Sequence, residues 1–287
     1  MQVAISNKYT ATASLIALLA ACSTADRSAE QWTPLFNAKD LSGWDTYLGS
    51  SYNPDSGRFA GEPAGLNNDP YNIYSVVEVD DQPAIRISGL VWGGISTIDE
   101  YSNYHLQLEF KWGHDRHAPR DSAKRDSGLL YHAVGPHAAD GNFWMRSQEF
   151  QIQEGDCGDY WGVAGAIMDA TARPYDDDEY IYEPAGERMT FGGGESALKR
   201  HLFKAGDAEK PTGKWNKIDL YCLGDTSIHV VNDVAMMVLT GLRQEDGQTT
   251  KPLMKGKIQI QSEGAEVFYR NIRIRSITSL PAEHGPE

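Results

Sequence analysis

The sequence contains little cysteine and lacks the short motifs that usually mark metal, nucleotide or nucleophile sites. Its three cysteines are Cys22, Cys157 and Cys222, without a CxxC pair or a Cys/His spacing typical of zinc. It also has no GxGxxG, P-loop, GxSxG or HExxH motif. We therefore predict that no cofactor is required. The alternative of a divalent metal held by His132 and carboxylate oxygens stays open, although the spacing of these residues in the sequence does not indicate a metal site.

Basic residues are also in short supply. The chain has 40 acidic and 26 basic residues, which gives a formal net charge of -14. Binding to nucleic acid needs clustered lysine and arginine, so this composition argues against a nucleic-acid partner. It argues equally against charge-driven binding to anionic membranes, and it suits neutral or cationic ligands.

Long hydrophobic runs are missing, and the one apolar stretch lies near the N-terminus. Residues 11–21 (ATASLIALLAA) are too few to span a bilayer, and they lead into a Leu-Ala-Ala-Cys sequence that resembles a lipoprotein lipobox. We predict a lipoprotein signal peptide over 1–21, lipidation of Cys22 and a tether over 22–31. An ordinary secretory signal is the alternative. Both alternatives imply export. Ser23 after the lipidated cysteine favours a location at the periplasmic face of the outer membrane. The protein would contact the membrane only through its lipid anchor.

Export permits a disulfide between Cys157 and Cys222. Cys222 lies in an apolar strand pattern, however, where a buried thiol is the commoner state. The sequence leaves both alternatives open.

Most of the remaining sequence alternates apolar and polar residues. Residues 104–112, 217–223, 257–263 and 270–276 all show this period of two, which is typical of half-buried strands. Long amphipathic helical stripes are missing. The pattern predicts an all-β antiparallel sandwich or barrel, with one domain over 32–280 and a flexible tail over 281–287.

Polar side chains follow one face of the segment 149–162 (EFQIQEGDCGDYWG). Glu149, Gln151 and Gln153 alternate with apolar residues, so this face is either solvated or the floor of a polar ligand site. Amides and carboxylates next to aromatic rings suit sugar hydroxyls and sugar faces. By the same alternation His132 shares a face with Gly128 and Leu130. A histidine at this position is either a proton shuttle or a hydrogen-bonded side chain at a sheet edge.

Several longer segments together resemble the 3-keto-disaccharide hydrolase family. The most specific are WTPLFNAKDLSGWDTY at 32–47, QEFQIQEGDCGD at 148–159 and QSEGAEVFYRNI at 261–272. The similarity extends from about Trp32 to Ile277. The resemblance implies a concanavalin-A-like jelly roll and an exported enzyme that acts on glycosides oxidised to a ketone at C3.

A C3 ketone acidifies the C2 proton and places the C1–oxygen bond β to the carbonyl. The resemblance therefore implies base-catalysed elimination followed by hydration, which is net hydrolysis. This step needs no redox cofactor. The implied partners are a small 3-keto-glycoside and an upstream sugar 3-dehydrogenase that makes the ketone.

The implied chemistry needs a base, an acid and donors to the enolate oxygen. We assign His132 or Glu149 as the base and the other as the acid, with Trp161 stacking on the sugar. The remaining predicted residues contact substrate: Gln151, Gln153 and Gln261 as polar partners, Glu154, Asp156 and Glu263 as hydroxyl ligands or second acid, and Arg125 and Arg146 to polarise the enolate.

Two other functions compete with this hypothesis. A non-catalytic, lectin-like surface module would use the same polar face, because sandwich folds host both lectins and enzymes. A surface interaction domain in a larger complex is the third. Release of the aglycone from a 3-keto-glycoside, and not from its unoxidised parent, separates the enzyme from both.

Overall fold

A computed structural model of the protein describes residues 31–282. The predicted signal peptide, the lipidation site Cys22 and residues 283–287 of the predicted tail lie outside the described residues. Between residues 31 and 282, no helix is long and apolar enough to cross a membrane.

The described chain is built from β-strands joined by turns and loops. In chain order the strands are β1 Thr33–Pro34, β2 Trp44–Leu48, β3 Ser51–Asn53, β4 Arg58–Ala60, β5 Gly65–Leu66, β6 Tyr74–Val79, β7 Gln82–Ile87, β8 Gly93–Thr97, β9 Tyr104–Arg116, β10 Asp126–Val134, β11 Arg146–Gln153, β12 Tyr160–Val163, β13 Ala166–Pro174, β14 Tyr180–Tyr182, β15 Glu187–Gly192, β16 His201–Leu202, β17 Asn216–Leu223, β18 Thr226–Val231, β19 Val234–Asp246, β20 Thr249–Pro252, β21 Lys257–Ser262 and β22 Ala265–Ser276.

Two antiparallel sheets form the sandwich. An 8-stranded sheet has the order β16-β12-β11-β10-β21-β8-β2-β5. A 12-stranded sheet follows the path β14-β13-β19-β18-β17-β9-β22-β7-β6, with β1, β15 and β20 paired beside it. The small hairpin β3-β4 stands apart from both. Neighbours in each sheet are often distant in sequence, which is typical of jelly-roll connections.

The core lies between the two sheets and is built from alternate residues of each strand. Leu106, Leu108 and Phe110 of β9 are fully buried, as are Phe150 and Ile152 of β11. All five belong to one continuous hydrophobic cluster. Period-two patterns place every second side chain on the same face, so the prediction of an all-β, antiparallel jelly-roll sandwich is confirmed.

Candidate functional site

The outer face of the 8-stranded sheet carries a row of polar side chains. Phe150 and Ile152 point into the core, so Glu149 and Gln151 project from the opposite face of β11. Both are only 6 % exposed. On β21, Gln259 and Gln261 alternate in the same way with buried isoleucines. We call Glu149, Gln151, Gln259 and Gln261 the polar row.

Strand pairing brings the polar row together. Gln151 lies opposite Gly128 of β10, and Glu149 lies opposite Leu130. On the next strand Gln261 lies opposite Gly94 of β8. Adjacent strands are about 4.8 Å apart, so the row crosses the sheet at right angles to the chain direction.

Gly128 makes the centre of the row possible. A Cβ at this position would overlap Glu149 Oε1 and Gln261 Oε1, which converge over the glycine. Because Gly128 has no side chain, a carboxyl from β11 and an amide from β21 reach the same point above β10. The polar row therefore depends on glycine at position 128 as well as on its own polar side chains.

Asp126 and Glu263 join Glu149 to form what we call the carboxyl cluster. Asp126, at the start of β10, is 4 % exposed, and the side chain of Glu263, directly after β21, is 13 % exposed. Arg120 contacts both: its Nη2 is 2.6 Å from Asp126 Oδ2, and its Nη1 is 4.0 Å from Glu263 Oε1. Gln153 donates to the same Asp126 oxygen at 2.6 Å.

Burial raises the pKa of all three carboxyls. The pKa of Asp126 rises to about 6, against the opposing charge of Arg120. Burial and the nearby charge of Asp126 raise the pKa of Glu149 well above its usual range. The pKa of Glu263 rises well above its usual range for the same two reasons, and the charge of Glu149 raises it further. With a pKa of about 6, Asp126 can exchange a proton near neutral pH, and a raised pKa makes each of the other two carboxylates a stronger proton acceptor.

Several buried polar atoms on this face have no protein partner among the described residues. They are Gln261 Oε1, Asp126 Oδ1, Gln259 Nε2 and Ser96 Oγ. Unsatisfied buried groups are costly and uncommon in folded proteins. Amide, carboxyl and hydroxyl groups in this arrangement offer both donors and acceptors to a polyhydroxylated ligand.

Tryptophans flank the row on both sides. Trp161 of β12 lies opposite Glu149, and its ring stacks on His201 at 4.4 Å between centroids. On the other side Trp92 directly precedes Gly93, which pairs with Ser262, so it lies next to Glu263. Trp92 stacks on Trp144 at 5.8 Å. Trp161 therefore borders the carboxyl cluster at Glu149, whereas the Trp92 ring belongs to an aromatic group with Trp144.

The structure separates His132 from the polar row. A register shift between Tyr131 and Val134 interrupts the pairing of β10 with β11, and His132 has a positive φ of 52°. The bulge breaks the alternation that placed His132 beside Leu130. Its ring instead packs edge-on against Tyr104 and Tyr131, and its Nδ1 lies 3.0 Å from Leu253 O. Burial lowers its pKa to about 4, so the ring is neutral at pH 7.

The other predicted residues divide into two groups. Glu149, Gln151, Gln261, Glu263 and Trp161 come together on the outer face, and Gln153 reaches the cluster through Asp126. The second group is engaged elsewhere: Arg125 pairs with Glu154 at 3.1 Å, Asp156 pairs with Lys124 at 2.6 Å, and Arg146 binds Ala164 O at 2.5 Å and Gln244 Oε1 at 3.0 Å.

Sequence reasoning missed Asp126 and Arg120. Asp126 begins β10, two residues before Gly128, so strand alternation with Gly128 could have placed it on the row's face. Arg120 lies on the loop between β9 and β10, where no periodic signal exists. The folded loop brings Arg120 to the carboxyls. The loop is held in place by a hydrogen bond of 2.7 Å from His117 N–H to Gly264 O.

Two cavities lie outside the polar row. One of about 460 Å³ lies beside β19 and β20, with Leu242, Pro252 and Met254 in its wall. The other, of about 400 Å³, lies at the turn between β11 and β12 and is lined in part by Asp159, Tyr175 and Phe203. Within residues 31–282, no group of three or more His, Cys, Asp or Glu side chains is arranged to hold a metal ion.

Comparison with known proteins gives one family. A family model described as a 3-keto-alpha-glucoside-1,2-lyase-like domain matches residues 31–275. Comparison with curated proteins gave no match.

Several solved structures share the general arrangement of strands at low identity. A Parabacteroides distasonis protein, provisionally described as a glycosyl hydrolase, is 20 % identical, with 86 % of this chain and 100 % of that chain covered and a TM-score of 0.47. The carbohydrate-binding module CBM66 from Bacillus subtilis is 8 % identical, with 71 % and 92 % covered and a TM-score of 0.41. A Bacillus licheniformis beta-glucanase is 10 % identical, with 86 % and 98 % covered and a TM-score of 0.39.

Proposed function

The chain belongs to the family of 3-keto-alpha-glucoside-1,2-lyase-like domains, and from this premise we propose that it cleaves 3-keto-glycosides by elimination across C1 and C2. The family supports a carbohydrate-acting enzyme. The observation that carries the finer proposal is the carboxyl cluster, because this elimination requires a base and an acid side by side and the cluster places three buried carboxyls on one face of the sheet.

Glu149 is the proposed base. It lies in the centre of the polar row, beside Gln261 and opposite Trp161. Its carboxylate takes the C2 proton, and the C2–H electrons form the enolate of the C3 ketone. His132 is a weaker candidate, because its ring packs in the core against Tyr104 and Tyr131.

Collapse of the enolate completes the cleavage. The C3 carbonyl re-forms, a C1–C2 double bond forms, and the C1–oxygen bond to the aglycone breaks. Glu263, a buried carboxyl whose pKa burial and the charge of Asp126 raise well above its usual range, is the proposed acid and gives its proton to the departing oxygen. Asp126 and Arg120 form an ion pair next to both, and Arg120 thereby compensates the negative charge of the site.

Water then adds across the C1–C2 double bond, which gives net hydrolysis. The proposed reaction is redox-neutral, so it uses no nicotinamide or flavin. A separate dehydrogenase must supply the substrate by oxidising the C3 hydroxyl of a glycoside. Export and the lipid anchor at Cys22 remain part of the proposal and concern residues outside those described.

The test uses the methyl and p-nitrophenyl 3-keto-glucosides and their unoxidised parents. We expect aglycone release from the keto forms only. In D₂O, product or recovered substrate should carry deuterium at C2, since the proposed first step removes that proton. Release without C2 exchange would indicate direct hydrolysis and contradict the elimination. Binding of sugar without turnover would favour the lectin-like alternative.

Substitution of Glu149 tests the assignment of the base. Glu149→Gln preserves shape and hydrogen bonding but cannot accept the C2 proton, so we expect kcat to fall by about 10²–10⁴-fold. C2 exchange in D₂O should be lost in parallel. The matched control is Glu78→Gln, an exposed glutamate on β6 in the other sheet, with activity expected near wild type. Near-normal turnover by Glu149→Gln would refute the assignment.

A further inference from the structure

We propose that the cavity at the turn between β11 and β12 is a subsite for a neutral hexose ring, the sugar aglycone of a 3-keto-disaccharide. This inference rests on the proposed function, because it places the second ring next to the site of elimination. The cavity volume of about 400 Å³ is within the range of small-molecule sites. We call it the aglycone cavity.

A chain of aromatic contacts joins the carboxyl cluster to the aglycone cavity. Trp161, opposite Glu149, stacks on His201 at 4.4 Å with an interplanar angle of 13°. His201 contacts Phe203 edge-on at 4.2 Å, and Phe203 lies 5.5 Å from Tyr175. Phe203 and Tyr175 line the cavity. These four rings therefore connect the side of the carboxyl cluster to the wall of the cavity.

Tyr175 gives the cavity an open wall. Its side chain is 58 % exposed, although large aromatic side chains usually bury most of their surface. It stands at the end of β13, and its backbone N–H is fixed by Glu179 O at 2.8 Å. An exposed ring that contacts a second ring can stack on the apolar face of a sugar while water still reaches the sugar's edge.

Charged residues also line the cavity. Asp156, Asp159, Asp207 and Lys204 line the cavity. Lys204 Nζ donates to Gly155 O at 2.8 Å and lies 3.4 Å from Asp207. Carboxylates accept hydrogen bonds from sugar hydroxyls, whereas their negative charge repels an anionic group. Three carboxylates against one lysine give this lining a net negative charge, which favours a neutral hexose over a uronic acid or a sugar phosphate.

The cavity also lies at the end of β11, the strand that carries part of the polar row. Gln151 N–H bonds to Asp159 O at 3.0 Å, and Gly158 N–H bonds to Gln151 O at 2.9 Å. The turn that forms the cavity is thus fixed directly to the strand that carries Glu149 and Gln151. In the proposed pose the oxidised ring lies over Glu149 and the second ring extends past Gln151 towards this turn.

Tyr175→Ala tests the subsite. We expect kcat/KM for 3-keto-maltose to fall about tenfold, because the aromatic contact is lost, whereas kcat/KM for methyl 3-keto-α-glucoside stays within about twofold. The matched control is Tyr71→Ala, which removes a tyrosine that is 51 % exposed elsewhere on the surface. Equal losses for both substrates, or no loss for either, would overturn the subsite while leaving the elimination intact.

Binding of unoxidised sugars tests the subsite independently of turnover. By titration calorimetry the wild type should bind maltose more tightly than methyl α-glucoside, and Tyr175→Ala should remove the difference. A glucuronate ring in the second position should bind more weakly than glucose. Failure of the wild type to distinguish maltose from methyl α-glucoside overturns the subsite. Failure to cleave either keto substrate overturns the proposed function and leaves the binding result to decide on the cavity.

Discussion

Asp126 shows how burial and charge compete at a single carboxyl. Its side chain is nearly inaccessible, and Arg120 lies 2.6 Å away. The ion pair alone would lower the pKa, but burial has the larger effect and the pKa rises to about 6. The folded protein therefore holds this proton at a pH where the unfolded chain, with an ordinary value of 3.8, has released it.

This difference predicts a pH dependence of stability. From about pH 4 upwards the unfolded state binds fewer protons than the folded state, so the free energy of unfolding falls as pH rises through the folded pKa of about 6 and levels off about one pH unit above it. In Asp126→Asn this contribution disappears. Urea unfolding at pH 4, 5, 6 and 7 should show the wild type losing stability relative to the variant. Parallel curves would contradict the raised pKa.

Individual residues also show which features alternation in the sequence predicts and which it does not. Alternation correctly places Glu149 and Gln151 on one face and Phe150 and Ile152 in the core. It fails at His132, because a bulge in β10 adds a residue that the partner strand does not match. A bulge depends on the pairing of two strands, so the local sequence of one strand does not reveal it.

At the scale of the element, the site is a property of strand register. Glu149, Gly128, Gln261 and Gly94 come from four adjacent strands whose order is β11, β10, β21 and β8. The strands and their faces follow from the period of two, whereas which strands become neighbours does not. A shift of one residue in any pairing would move its polar side chains into the core.

Gly128→Ala tests the importance of this arrangement. The added Cβ would overlap Glu149 Oε1 and Gln261 Oε1, so both groups must move. Displacement by about 1 Å typically lowers turnover by about 10²-fold. We expect that loss with methyl 3-keto-α-glucoside as substrate, with a folded β-rich circular dichroism spectrum.

A second glycine provides the control. Gly206→Ala adds the same methyl group where nothing lies within 4 Å of the new Cβ, and activity on the methyl glycoside should stay near wild type. If Gly128→Ala retains full activity, the convergence of Glu149 and Gln261 over Gly128 is not required for catalysis.

At the scale of the molecule, the two sheets hold together without a disulfide between residues 31 and 282. Cys157 and Cys222 are both free and buried and both belong to the hydrophobic cluster. Burial raises the pKa of each thiol well above its usual value. Neither is therefore poised to react as a thiolate, and each behaves as a small apolar side chain.

We therefore expect stability to be independent of reductant. In a Cys22→Ala chain, the thermal unfolding midpoint should be the same with and without dithiothreitol. A thiol reagent should label both remaining cysteines only after denaturation. A lower midpoint in dithiothreitol, or rapid labelling of the folded protein, would indicate that the thiols are not buried and free as described.

The whole fold was more predictable than the whole site. Strand periodicity is a local signal repeated along the chain, so it predicted an all-β antiparallel sandwich or barrel, and the family resemblance favoured the sandwich. The site also depends on Arg120, which a non-periodic loop delivers to Asp126 and Glu263. Alternation pointed to Glu149 and the family resemblance added Glu263, but neither reveals the strand pairing that brings both to Asp126.

Tyr175 and the carboxyl cluster occupy parts of the molecule with different freedom to change. The carboxyls lie on or beside strands with a neighbour on each side, where substitution disturbs pairing, core and chemistry together. Tyr175 lies at the β13–β14 turn, and Phe203 directly follows β16 at the margin of its sheet. A substitution at this margin leaves the strand pairing and the carboxyl cluster in place. We therefore expect substitutions at this margin to change which aglycone is accepted, while the proposed elimination is retained.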